Sequence, residues 1–192
     1  MNSKLNFAKL QKNYNIIINY LISKTFRVPM KQFIDKHCDK FENKLESSHE
    51  QFQLHEQFKT LVENLLNAVL EDAQINETEF MEVAKIGLER ETDKAYFEQV
   101  ISCDNFQWFK HCMIKRNLQL KEQSMKLMYA NKGDLKLGAD STINKMMKDK
   151  EQAELECAIA MSLAADDYKK KLYTEEKSYD GIAVSLSLLL FF

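Results

Sequence analysis

Apolar residues recur at steps of three and four along most of the chain. The clearest run is His55–Leu70, HEQFKTLVENLLNAVL, where Phe58, Leu61, Val62, Leu65, Leu66, Val69 and Leu70 line one side of a helix. Glu56, Lys59, Glu63, Asn64 and Asn67 occupy the other side. A stripe this wide is either covered by several neighbouring helices or takes in something from outside, and the pattern alone leaves both readings open.

The same periodicity divides the rest of the chain. Leu5, Phe7, Leu10, Tyr14, Ile17, Ile18, Leu21 and Ile22 predict an amphipathic helix over residues 5–23. Pro29 suits the first turn of a second helix, where its missing N–H has no partner in any case. That helix carries Phe33, Ile34, His37, Cys38 and Phe41 on one face and ends in the polar run 42–48. Ser48 with Gln51 forms a capping box that opens the central helix, expected over about His49–Asp72. Asn76 with Glu79 opens a fourth helix burying Phe80, Val83, Ala84 and Leu88. A short fifth helix, Asp93–Ser102, offers Tyr96, Phe97, Val100 and Ile101. Asp104 with Gln107 reads as a third capping box, opening a long helix over Asn105–Asn131. Gly133 and Gly138 bracket the clearest break. A final helix, about Ser141–Tyr173, is charged at both ends and alanine-rich in the middle, and is expected to project from the domain. The expected organisation is a helical domain over 1–132, a linker over 133–140, a helix over 141–173 and a tail over 174–192.

Composition narrows the class further. With 4 Gly and 1 Pro in 192 residues, and abundant Lys, Glu, Gln, Leu and Met, the chain reads as all-α. A net charge of −2 with both signs intermixed lacks the basic footprint of a nucleic-acid binder. Cys38, Cys103, Cys112 and Cys157 form no CxxC pair and read as reduced thiols of an intracellular protein. The N-terminus shows no signal-peptide pattern.

In order and spacing, several stretches resemble a known module. They are Pro29-x-x-x-Phe33-Ile34-x-x-His37-Cys38-x-x-Phe41, then His55-x-x-Phe58-Lys59-x-Leu61-Val62-Glu63-x-Leu65-Leu66, then Ile75-Asn76-Glu77-x-x-Phe80, and Phe106-x-x-Phe109-Lys110-x-x-Met113-x-x-x-Asn117. Together, over about residues 20–130, they resemble the BART-like domain, a six-helix effector module for Arl-type small GTPases found in ciliary and flagellar proteins. The resemblance implies a groove that takes the N-terminal amphipathic helix of a GTP-loaded Arl-type protein, with switch regions touched from the rim. The residues it assigns to that groove are Phe58, Leu61, Leu65, Leu66, Val69, Phe80, Phe106, Phe109 and Met113. Taken singly, each is more readily explained as plain core, so the groove stands as a set.

A second signal lies in residues 154–167, ELECAIAMSLAADD, which resemble a ubiquitin-interacting motif. Leu155, Ala158, Ile159 and Ser162 would contact ubiquitin, with Glu151, Glu154 and Glu156 upstream. The motif expects an acid three residues after the serine, where this chain has Ala165, with Asp166 one step late. The alternative is an amphipathic extension that packs on the domain or on a partner helix.

Enzymatic readings find little support. His37-Cys38 and His111-Cys112 point about 100° apart on a helix and cannot chelate one metal as pairs. No Gly-rich phosphate loop, GxSxG or convergent acid pair is present in the sequence. The apolar end Ile182–Phe192 is 11 residues long, short of the ~20 that a membrane helix needs. The expectation is a non-enzymatic cytoplasmic adaptor without cofactor, metal, nucleic-acid partner or transmembrane segment. Its first reading is an effector of a GTP-loaded Arl-type GTPase in a cilium or flagellum. Docking on axonemal proteins without nucleotide sensing and ubiquitin binding are the alternatives.

Overall fold

A computed structural model describes residues 2–42, 46–131 and 139–176. These form seven α-helices: α1 (Asn2–Ile22), α2 (Lys24–His37), α3 (His49–Ala73), α4 (Glu77–Glu89), α5 (Lys94–Ser102), α6 (Phe106–Asn131) and α7 (Ala139–Glu176), with a 3-10 turn at Cys38–Lys40. The fold is an all-α bundle, α1 to α6, followed by the long α7. Gly133, Gly138 and the apolar end at 182–192 lie outside the described residues.

Side-chain caps set the helix starts. At α3, Ser48 accepts from the Gln51 N–H while the Gln51 side chain accepts from the Ser48 N–H; Asn76 and Glu79 do the same at α4. Two starts differ from expectation. The α2 helix begins five residues before Pro29, because Ser23 caps it by accepting from Phe26 N–H, so the proline lies inside the helix. At α6 the cap is Asn105, whose Oδ1 accepts from Trp108 N–H at 2.9 Å. Asp104 is drawn away to Lys59 on α3, 2.7 Å from its Nζ. The end of α3 is closed by Gln74 in the left-handed region (φ 53°), and the Ile75 N–H reaches back to Leu70 O at 2.9 Å.

The wide stripe of α3 is divided among several neighbours. Phe58 meets Phe33 of α2 and Phe109 of α6, with ring centroids 5.5 and 5.0 Å apart. Phe41, just after the 3-10 turn, packs edge-on against Phe109 at 5.4 Å. On another side, Tyr20 of α1 hydrogen-bonds Leu65 O at 2.8 Å. Phe41, Phe58, Phe97, Phe109, Ile17 and Met113 are fully enclosed, and each such side chain stabilises the fold by roughly 1.5–3 kcal/mol. Buried polar groups tie loops to this core: Asn117 Nδ2 donates to Phe41 O at 2.7 Å, and His55 Nε2 lies 2.9 Å from Cys103 O.

The α7 helix does not project. It lies back along α6 and α5 and buries Ala153, Ala160, Ala165 and Tyr168. Small side chains on that face let the helices approach closely. Polar contacts line the seam: Lys150 to Glu122 at 3.2 Å, Lys115 to Glu154 at 3.4 Å, and His111 Nδ1 to Glu156 Oε2 at 3.0 Å.

Candidate functional site: an apolar crevice closed by α7

Where α3, α4 and α5 converge they leave an apolar crevice. Val62, Leu66 and Leu70 of α3 make one wall, Phe80 and Ala84 of α4 a second, and Phe97, Val100 and Ile101 of α5 a third. These walls follow from local pattern. Val62, Leu66 and Leu70 continue the i, i+4 row that begins at Phe58, so one stripe of α3 runs from the Phe58 cluster into the crevice. Tyr168 of α7 lies across the mouth, its hydroxyl 3.1 Å from Met81 Sδ on α4. The void left beneath it is about 50 Å³, enough for a water or two but not for a row of side chains.

The rim is charged and internally matched. Burial works against the charge of Lys59, but the carboxylate of Asp104 outweighs it and raises the ammonium pKa. Glu63, nearby, is pushed up by burial. Cys103 lines the crevice as a deeply buried thiol whose pKa is raised by that burial. The crevice is therefore an apolar slot with a mixed-charge edge. Among the described residues, no group of three or more His, Cys, Asp or Glu is placed to hold a metal.

The residues expected in a groove fall into three places. Leu66 and Phe80 line the crevice. Leu61, Leu65, Val69 and Phe106 are half-buried at other positions, Phe106 stacking on the exposed Phe52 with centroids 4.1 Å apart. Phe58, Phe109 and Met113 are enclosed in the core. The crevice also recruits residues that the groove assignment omitted. Val62 and Leu70 belong to the same stripe, and Phe97-x-x-Val100-Ile101 was visible as an apolar cluster without a role. Tyr168 left one trace in the sequence, a lone aromatic within the charged run Asp166–Lys171.

The 154–167 stretch shows a second surface. Leu155, Ala158, Ile159 and Ser162 all sit on the outward face of α7. Leu155, Ile159 and Leu163 are 56%, 50% and 58% exposed, an apolar row one helical turn apart.

The family model of the ARF-like 2 binding protein BART matches residues 11–122, which run from within α1 to within α6 and contain the three crevice walls but not α7. Cilia- and flagella-associated protein 36 of Caenorhabditis elegans is 19% identical over 123 residues, 62% of this chain and 18% of that protein. The match thus spans less than a fifth of the relative's length. No described helix is long and apolar enough to cross a membrane.

Proposed function

The chain belongs to the family of the ARF-like 2 binding protein BART, and from that premise we propose that it is a non-enzymatic adaptor whose α3–α4–α5 crevice takes the amphipathic N-terminal helix of an Arl-type small GTPase. One observation carries this reading. The crevice is a slot between helices whose α3, α4 and α5 walls, inside the matched region, are mainly aliphatic and aromatic. Helix-in-groove recognition needs such a slot, with anchors of the incoming helix at helical spacing. The void under Tyr168 is too small for those anchors, so the partner helix enters as the end of α7 swings out. Nucleotide sensitivity then resides in the GTPase, which offers its helix in the GTP state. Similarity to a cilia- and flagella-associated protein supports a ciliary setting.

The test is titration calorimetry of the full chain with Arl-type proteins loaded with GTP analogue or GDP. Binding confined to the GTP form is expected. Equal binding in both states would favour a structural docking role, for instance on axonemal proteins. Leu66→Asp abolishes binding, with circular dichroism to verify the fold. Leu61→Asp, outside the crevice, has little effect.

A second reading, ubiquitin binding by α7, is favoured by the outward placement of Leu155, Ala158, Ile159 and Ser162. Glu151 and Asp166, both exposed, flank this row with acid, as a basic-rimmed apolar patch requires. An NMR titration with ubiquitin decides it: shifts confined to the outward face of α7, lost in Ala158→Gln, are expected.

A further inference from the structure

The four cysteines, all free thiols, are of two kinds. Cys38 and Cys103 are buried and each bonds within its own segment, to Asp35 O at 3.7 Å and Gln99 O at 3.2 Å. Cys112 of α6 and Cys157 of α7 instead face one another across the helix seam. Their sulfurs are 3.0 Å apart although the residues are 45 positions apart in sequence. A disulfide holds its sulfurs at about 2.05 Å, so closure needs roughly 1 Å of approach, within reach of small side-chain rotations. Both thiols are half-buried, and both line an open cleft of about 550 Å³ together with Lys115 and Arg116. A small oxidant therefore has a route to them.

The two sulfurs share a hydrogen bond that either can donate, and this contact, with the Lys115 ammonium beside it, favours the thiolate form of Cys157.

We propose that Cys112 and Cys157 form a peroxide-responsive thiol pair that closes to a disulfide and pins α7 to α6. In the first step the Cys157 thiolate attacks hydrogen peroxide. The O–O bond breaks, sulfur is oxidised to the sulfenic acid, and the departing hydroxide takes a proton to leave as water. In the second, Cys112 loses its proton and attacks that sulfur; the S–O bond breaks, the disulfide forms and a second water leaves. Overall two thiols give up two electrons and two protons, and the peroxide is reduced to two waters. The bond fixes the middle of α7, the helix that carries Tyr168 over the crevice. The proposal stands whether or not the crevice binds a GTPase helix.

The experiment treats the reduced full chain with hydrogen peroxide, blocks remaining thiols, and maps peptides by mass spectrometry without reduction. A 112–157 linked peptide should form about tenfold faster than Cys38 or Cys103 is oxidised. It should be reversed by dithiothreitol, absent in Cys157→Ser, and retained in a chain carrying Cys38→Ser and Cys103→Ser. The oxidised chain should melt roughly 5–10 °C higher than the reduced one. Sulfinic acid accumulating at Cys157 without the link, links formed between chains instead, or a link that forms equally fast in urea would each overturn the proposal.

Discussion

Gly87 offers a sharp test of the packing behind the crevice. It lies on α4 where that helix meets the ring of Phe97 on α5. A methyl group added at Gly87 would sit 2.6 Å from Phe97 Cγ and closer still to Cδ2 and Cε2. Unbonded carbons rest about 3.5–4.0 Å apart, so the ring must retreat by about 1 Å or more. It has little room to do so. Phe97 is 1% exposed and stacks on Tyr14 with centroids 6.0 Å apart. Tyr14 is in turn held by Asp93 and covered by the Arg90 guanidinium, 4.2 Å above its ring. Overpacking costs about 1–3 kcal/mol, and a displacement this large belongs near the upper end. Alanine's better helix propensity offsets about 1 kcal/mol. Gly87→Ala should therefore lose about 2 kcal/mol, or roughly 4–8 °C of melting temperature for a chain of this length. Urea unfolding followed by circular dichroism measures the loss. Shortening the ring with Phe97→Leu relieves the clash, so the double variant should be more stable than the sum of the two single effects. A Gly87→Ala chain as stable as the parent would refute the reasoning, because it would mean that the α4–α5 contact is not as close as described.

The other expectations concern the crevice, two helix termini and pH. Tyr168→Ala uncovers the crevice and should raise affinity for an Arl-type N-terminal helix by about 3–10-fold in calorimetry, the gain expected when a partner no longer has to displace an occupant. Gln74→Gly relieves a left-handed backbone at a side-chain-bearing residue and should raise the urea midpoint by the equivalent of about 0.5–1 kcal/mol. Asn76→Ala removes half of a capping box and should cost about 1 kcal/mol in the same assay. Burial holds His55 below its ordinary pKa of 6.5, and His37 and His111 shift in the same direction for the same reason. The unfolded chain takes up protons near the ordinary value while the folded chain resists. Stability from these groups is therefore level above pH 6.5, falls as pH drops through it, and levels off once the folded histidines protonate. Urea midpoints measured across that window in the parent and in His55→Gln check this, the variant giving the shallower fall.

Legibility in the sequence followed the range of the interactions. Capping boxes are local, so Ser48–Gln51 and Asn76–Glu79 could be read directly. The box at Asp104 could not, because a lysine on α3, distant in sequence, engages that carboxylate and leaves Asn105 to cap α6. Pro29 resembled a helix start on the same local logic, but Ser23 begins the helix a turn and a half earlier. The apolar stripe of α3 was plain, but which of its residues face a slot and which face the core depends on where α4 and α5 cross it. That is tertiary information. For this reason Val62 and Leu70 line the crevice while Phe58 is sealed. The docking of α7 left a fainter trace, small or apolar residues at 153, 157, 160, 165 and 168 at roughly helical spacing, easily read as an exposed alanine-rich helix.

That helix changes what the crevice means. The three walls lie within the family-matched residues 11–122, whereas the side chain closing the mouth comes from position 168. On the reading proposed above, residues 11–122 would set what fits, through the α3, α4 and α5 side chains, and α7 would govern access. The seam with α6 holds the middle of α7 through its ion pairs and facing thiols. The α3 stripe is covered in two parts, its Phe58 end by α2 and α6 and its Leu66–Leu70 end by α4, α5 and Tyr168 of α7.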